Sequence, residues 1–422
     1  MNKPTGVKPE RTALKNTTKK RGALSKFTLV AIVCLLLVTT LTGCVPKAPH
    51  EHYIAALKKV NDLEYLDYVA KASMRIEADN PENQALVQIF NQVSFEATLK
   101  LDKEDRRIFF DYNLLYKGVN CGNLTLYCDL EKISAQSVFL GPRIFYFEWK
   151  DLQPIVQKHF DLQFQITDYF PLLLETDEKT WEEVELAFYD FYADYYQDKI
   201  TAGDKQVKLA VIENDQEKTI TCKELLLQMD SAAFSPEEIS RLLQGIFGNP
   251  AVRTLIKDKI TQFITIAKNN GDLATWPITE EDLIAFRDNI DDQIDHFLTQ
   301  MVTVLADTPT TTSPTSFTRM DGKILIDQKG LWRNAVTDQT MHITDPDTGD
   351  VAQFTMKIDQ SLVNPGQKPT FPNFHSATMV NVGQTSAEEW AALWEEIYID
   401  IFTQAMVNPL IHDIIQLAAK TE

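Results

Sequence analysis

From Leu63 onward apolar and polar residues trade places at every second position, and no other feature restricts the fold as much. Leu66, Tyr68, Ala70, Ala72, Met74 and Ile76 alternate with Asp67, Lys71, Ser73, Arg75 and Glu77, the period of a long strand with one wet face. Asp79-Asn80-Pro81 ends the run. The alternation resumes in Val93, Phe95, Ala97, Leu99 and Leu101, turns at Asp102-Lys103-Glu104-Asp105, and returns as Ile108, Phe110, Tyr112, Leu114 and Tyr116. Two such runs across a short polar turn predict an antiparallel hairpin. Leu124 to Tyr127, Ser137 to Leu140 and Ile144 to Trp149 extend the meander.

The last of these runs is apolar on both sides. Phe145, Phe147 and Trp149 share one face of their strand, while Ile144 and Tyr146 share the other. Either helices cover the second face, or the sheet curves round a hydrophobic cavity. Helix candidates follow at 151–162 and from about Lys179 to Gln197, where Trp181, Val184, Phe188, Phe191 and Tyr195 recur at three- and four-residue spacing. Phe145, Phe147, Trp149, Trp181, Phe188 and Phe191 are therefore the candidate lining of an apolar cavity, and a solid aromatic core is the alternative.

Strand character returns at Lys205 to Glu213, and the chain then becomes helical. Ser235-Pro236-Glu237-Glu238 carries the capping-box pattern, Asn249-Pro250 opens a second helix, and Thr279-Glu280-Glu281-Asp282 opens a third expected to run past six turns to Leu305. Residues 307–316 read as a polar linker. Strands resume between Lys323 and Ile358, with a hairpin turn at Asp345 to Asp350 whose Pro and Gly fall at the wrong places for a calcium loop. Ser386-Ala387-Glu388-Glu389 caps a last long helix that carries Trp390 and Trp394, and Asn408-Pro409 breaks it. The pattern predicts two antiparallel sheet units, about 63–213 and 317–361, bracketing helices at 235–305.

The front of the chain sets its address. A basic leader (Lys3 to Lys26) precedes an unbroken apolar run from Phe27 to Val38, and the segment ends in Leu41-Thr42-Gly43-Cys44. The run is short for a membrane span of ~20 residues and fits a secretory signal. Leu41, Thr42, Gly43 and Cys44 together resemble the lipobox of bacterial lipoproteins. That resemblance implies that the Cys44 thiol is joined to diacylglycerol, that the chain is cut in front of it, and that an added acyl chain strengthens the hold on the bilayer. The expected site is the outer face of the cytoplasmic membrane of a Gram-positive-type bacterium. The leader takes eight of 41 basic and one of 60 acidic residues, leaving 33 and 59 and a formal net charge of −26. So acidic a body repels phosphate backbones, which argues against nucleic-acid partners. After Cys34 and Cys44, only Cys121, Cys128 and Cys222 remain. Cys121 and Cys128 are the candidate disulfide if a hairpin brings them within reach.

No catalytic motif is present: G-x-S-x-G, H-E-x-x-H, the P-loop and the dinucleotide fingerprint are all missing. His50 and His52 alternate near the front without a third ligand, and no metal or cofactor site is expected. The order of elements resembles the lipoproteins of Gram-positive bacteria that share the curved-sheet fold of the LolA/LppX carriers. The resemblance spans 53–361 and rests on the lipobox, the long antiparallel strands, and turns such as Leu101-Asp102-Lys103 and Ile326 to Leu331. It implies an α+β fold of long curved antiparallel sheets packed on helices, LolA/LppX-like, with an inserted helical block, and an apolar cavity for acyl chains or a lipid-modified partner. The expected organisation is a signal peptide at 1–43, a tether at 44–52, an N-terminal sheet with helices at 53–230, a helical block at 231–306, the linker, and C-terminal hairpins and helices at 317–422. The functional expectation is a non-catalytic, membrane-anchored lipoprotein that binds a lipid or other hydrophobic ligand. The alternatives are a structural or protein-interaction module of the cell envelope and an extracytoplasmic hydrolase.

Overall fold

The alternating runs become strands, and hydrogen bonding joins all of them into one sheet. The computed structural model describes residues 47–78, 84–154, 166–170, 172, 178–214, 216–307, 315–344, 349–372 and 378–421. The lipobox residues Leu41, Thr42, Gly43 and Cys44 lie outside this set, as do most of the expected helix at 151–162 and most of the 307–316 linker. Helix α1 (Pro49–Asn61) starts within the expected tether and carries His50 and His52 in its first turn. Strands β1 (Tyr65–Ala78), β2 (Val93–Asp102), β3 (Arg107–Tyr116), β4 (Val119–Cys128), β5 (Lys132–Gln136) and β6 (Arg143–Glu148) form the meander, with α2 (Gln84–Phe90) between β1 and β2. Helix α3 (Glu178–Tyr196) leads to β7 (Ile200–Glu213) and β8 (Gln216–Asp230).

The helical block sits between β8 and β9: α4 (Pro236–Phe247), α5 (Pro250–Asn270), α6 (Glu280–Asp288) and α7 (Ile290–Asp307). The expected third helix breaks at Asn289, whose φ of −97° and ψ of 9° leave the helical region. The block has its own small core, in which Ile290, Ile294 and Leu298 of α7 meet Leu243 and Phe247 of α4 and Ile256 and Ile260 of α5. Strands β9 (Thr315–Asp327), β10 (Trp332–Thr344), β11 (Val351–Leu362) and β12 (Thr378–Asn381) follow, then α8 (Ala387–Val407) and α9 (Pro409–Thr421). Mixed helix and strand with largely antiparallel pairing is an α+β fold. Among the described residues no helix is long and apolar enough to cross a membrane.

The expected two sheet units are corrected to one of twelve strands, in the order β12-β6-β5-β4-β3-β2-β1-β11-β10-β9-β8-β7. The seam is β1 against β11, from Tyr68 opposite Leu362 to Ala78 opposite Ala352. Strands β7 and β8 belong beside β9, at the far end from the meander that precedes them in sequence. Period two places side chains on faces and carries no information about which edge a strand joins. Residues 49–422 accordingly form one compact unit.

Local chemistry closes the turns. Lys117 and Gly118, with φ of 53° and 78°, make a two-residue β3–β4 hairpin, and positive φ at both positions gives a backbone twist that matches the strands. At the β9–β10 turn the Asp327 carboxylate accepts the amides of Lys329 and Leu331, at 2.8 and 3.0 Å. The expected Cys121–Cys128 disulfide is also corrected. Both residues lie on β4, and all three described cysteines are free thiols. Seven steps of extended strand hold the pair ~23 Å apart, far beyond disulfide reach.

The main core lies between α1, α3 and the strands β1 and β7 to β11, and includes Ala56, Val60, Tyr195, Leu225, Leu227, Ile324, Ile326, Trp332 and Leu362. A second cluster, around Ile89, Val93, Tyr116 and Cys121, is covered by Leu410, Ile414 and Leu417 of α9. There the Tyr116 hydroxyl donates to Asp413 at 2.7 Å and the Asn408 amide donates to the Cys121 carbonyl at 2.6 Å.

Candidate functional site

Between these two clusters the sheet is lined with small side chains, and a cavity results. One lateral row of paired residues reads Ala97, Ala70, Gln360, Ala335, Ile324 and Leu225 across β2, β1, β11, β10, β9 and β8. The next reads Phe95, Ala72, Ile358, Thr337, Gly322 and Leu227 on the same strands. Residues directly opposite in a ladder share a face, so alanine and glycine recur on one face where neighbouring rows carry Leu and aromatic residues. The space they leave is a cavity of ≈490 Å³. Helix α1 borders it with Tyr53, Leu57 and Val60; Tyr68 and Ala70 of β1, Ala97 and Leu99 of β2, and Phe110 of β3 line one side; Leu227, Ile324, Trp332 and Ala335 line the other.

Packing fixes the rim. The rings of Tyr68 and Trp332 stand 5.7 Å apart, and Tyr53 meets Tyr196 of α3 edge-on at 5.4 Å. Burial pushes the Tyr68 phenol up to about 12. Burial and then the neighbouring Tyr192 raise that of Tyr53. Both phenols therefore stay neutral hydrogen-bond donors at any physiological pH. The remaining polar side-chain groups of the lining are the Trp332 indole N–H, the Thr337 hydroxyl and the Gln360 amide. Among the described residues no carboxylate, imidazole, amine or thiol lines this cavity. Such a surface can bury hydrocarbon and offer a few hydrogen bonds to ester or carbonyl oxygens.

A second recess of ≈520 Å³ lies nearer the β2–β3 turn. Leu101, Ile108, Cys128, Leu130, Trp149 and Phe170 supply its apolar wall, with Asp102, Lys103, Arg106 and Asp129 around it. Leu99, Ile108, Leu124, Leu130 and Ile133 are all exposed by more than a third of their surface, so the first half of the sheet carries open apolar ground.

The six residues expected to line one cavity are spread over separate surroundings, and that expectation is corrected. Phe145 is buried and stacks on Trp390 of α8 at 6.3 Å, so a helix covers this end of the sheet. Phe147 meets Trp149 edge-on at 6.5 Å, and Trp149 meets Phe170 at 5.6 Å while its indole donates to the Asp129 carbonyl at 2.9 Å. Trp181 is half exposed on α3. Phe188 stacks on Tyr192, and Phe191 packs against Tyr195 over the main core, where Gly245 of α4 makes room for its ring. Of the six, only Trp149 borders either recess. The cavity residues went unrecognised because Ala70, Ala97 and Ala335 are unremarkable singly; only the strand register aligns them.

Trp394, four residues on from Trp390, is exposed, and Tyr398, Phe402 and Met406 continue its stripe along α8, each more than half exposed. Among the described residues no group of three or more His, Cys, Asp or Glu is placed to hold a metal ion. Compared with known proteins, the chain matches no family model and no curated protein.

Proposed function

We propose that the protein is a membrane-anchored extracytoplasmic lipoprotein that binds a lipid or similar apolar ligand in the cavity beside α1 and catalyses no reaction. The observation that carries this reading is the cavity, ≈490 Å³ with a predominantly apolar lining. Small-molecule sites span ~300–1,000 Å³, whereas packed interiors hold few voids larger than a water. The lining also supports a sheet bent in the manner of the LolA/LppX-like carriers. Strands β3 and β8 stand six strand spacings apart, ~29 Å in a flat sheet. Phe110 of β3 and Leu227 of β8 nevertheless border one void. A sheet curling toward α1 brings them together. The inserted helices α4 to α7, which simple carriers lack, supply no residue to the lining.

The experiment is a titration of residues 45–422, stripped of lipid, with anilinonaphthalene sulfonate and then with palmitate as competitor. One displaceable equivalent of probe is expected, and native mass spectrometry of protein from its own membrane should show a bound lipid. Failure of both would end the reading. The interaction-module alternative would then replace it, on the strength of the exposed Trp394, Tyr398, Phe402 and Met406 stripe.

The anchor is tested separately. Four residues separate Cys44 from Pro49, where α1 starts, so an anchor there ties the cavity-lining helix to the leaflet in which lipids reside. Cys44→Ala should abolish acylation and release the protein from the membrane fraction. An intact mass showing unmodified Cys44 in the wild-type membrane fraction would refute the assignment.

A further inference from the structure

The two recesses share one apolar floor. Leu99 pairs with Phe110 at the edge of the first, and Leu101 pairs with Ile108 in the second. These pairs are two residues apart on the same strands and face, ~7 Å along the strand. A chain-like ligand lying in the first cavity can therefore continue over Leu99 and Phe110 into the second.

The charged groups at that far end are not balanced alike. The Asp102 side chain is fully buried and accepts the Asp105 amide at 2.9 Å and Arg107 at 2.6 Å, with Lys368 at 3.6 Å. Burial alone would raise its pKa, but the Asp105 amide, Arg107 and Lys368 outweigh this and lower it. The Asp129 carboxylate accepts the amides of Glu131 and Lys132, at 2.8 and 2.9 Å. Both carboxylates are thus engaged by the protein. Lys103, whose pKa burial lowers, donates to the Asn61 carbonyl at the C-terminus of α1 and lies beside the recess. Arg106 is exposed, and among the described residues the ion pairs of this turn go to Arg107 and Lys368 instead. It sits at φ 52° in the turn, a left-handed conformation that glycine adopts with less strain. The turn therefore holds an uncommitted guanidinium at the rim of an apolar recess, on a body whose mature charge is −26.

We infer that the ligand is an acyl chain with an anionic head, a carboxylate or a phosphate, and that Arg106, with Lys103 beside it, receives that head while the chain runs over Ile108 and Leu99 toward α1. This rests on the lipid-binding reading and adds its polar end. Guanidinium is suited to both heads because its planar fork offers two parallel donors. A neutral lipid would fill the same apolar floor and gain nothing at Arg106.

The test uses residues 45–422 and three probes of equal chain length: palmitate, palmitoyl lysophosphatidate and methyl palmitate. Wild type should bind at least one of the two anions roughly tenfold more tightly than the ester, and the tighter anion identifies the head. Arg106→Gly, which suits the backbone and removes the charge, should abolish that preference and leave ester binding unchanged. Arg106→Lys should retain most of it. Equal binding of anions and ester by wild type, or an unchanged preference in Arg106→Gly, overturns the head-group assignment while the lipid-binding reading stands. Binding of none of the three probes overturns both.

Discussion

Replacing Arg333 with methionine is expected to destabilise the protein by ~3 kcal/mol, the lower end of the cost of breaking a buried ion pair, because the two carboxylates left behind are only partly buried and Glu213 keeps Lys218 at 3.6 Å. Arg333 is 1% exposed, and its Nη1 donates to Glu213 at 2.7 Å and to Asp327 at 3.1 Å. One guanidinium thus ties β10 both to its neighbour β9 and to the edge strand β7, while Asp327 also organises the β9–β10 turn. Two of its nitrogens, Nε and Nη2, are buried without an acceptor among the described residues. The cluster is therefore imperfectly satisfied, and its loss comes chiefly from the carboxylates stranded by the mutation. Adding Glu213→Gln should accordingly regain part of it. Urea denaturation at neutral pH measures all three proteins, and a midpoint for Arg333→Met equal to that of wild type would show the cluster to be energetically idle.

The same cluster gives a pH dependence of definite sign. Arg333 holds the Glu213 carboxyl below the usual carboxylate range. A group depressed in the folded state contributes stability that is complete above its unfolded pKa, ~4.3 for Glu. That contribution fades as pH falls toward the folded value. Arg333→Met should therefore flatten the acid side of the stability curve as well as lower it.

Ala70→Trp is expected to weaken binding of an apolar ligand at least 100-fold, about 2.7 kcal/mol, while changing stability by no more than ~1–3 kcal/mol, the usual range for overpacking. Ala70 lies on β1 opposite both Ala97 and Gln360, at the floor of a cavity of ≈490 Å³. An indole there occupies the space an acyl chain would take, and the void lets it in without displacing packed neighbours. Probe displacement and thermal melting on the same sample separate the two effects. A native-like melt with undiminished binding would place the ligand elsewhere.

Much of the architecture was legible because it is local. The alternation in Leu66 to Ile76 and Ile108 to Tyr116 became β1 and β3, and Ser235, Thr279 and Ser386 cap the helices they were expected to cap. The β1–β11 seam was not legible, since an edge advertises unpaired backbone and any strand of the right length can answer it. The cavity was not legible for a different reason. Aromatic density points to Phe145 and Phe191, yet large rings consume space: Phe145 is stacked on Trp390 and Phe191 fills the room left by Gly245. Voids form where small residues coincide in register, and that coincidence involves Ala97, Ala70 and Ala335 on three strands separated widely in sequence.

The seam at the centre of the sheet also sets a timetable. Ala78 and Ala352, the paired residues nearest in sequence across it, are 274 positions apart. At ~5–20 residues per second a ribosome needs roughly 14–55 s to make the intervening chain. Through that interval β1 can pair with β2 on one side, while the amides and carbonyls of its other edge have no native partner. A newly made N-terminal half is thus a meander with an open, fourteen-residue edge, the kind of edge that recruits strands from other molecules. Its protection is a kinetic matter, decided before the cavity can exist.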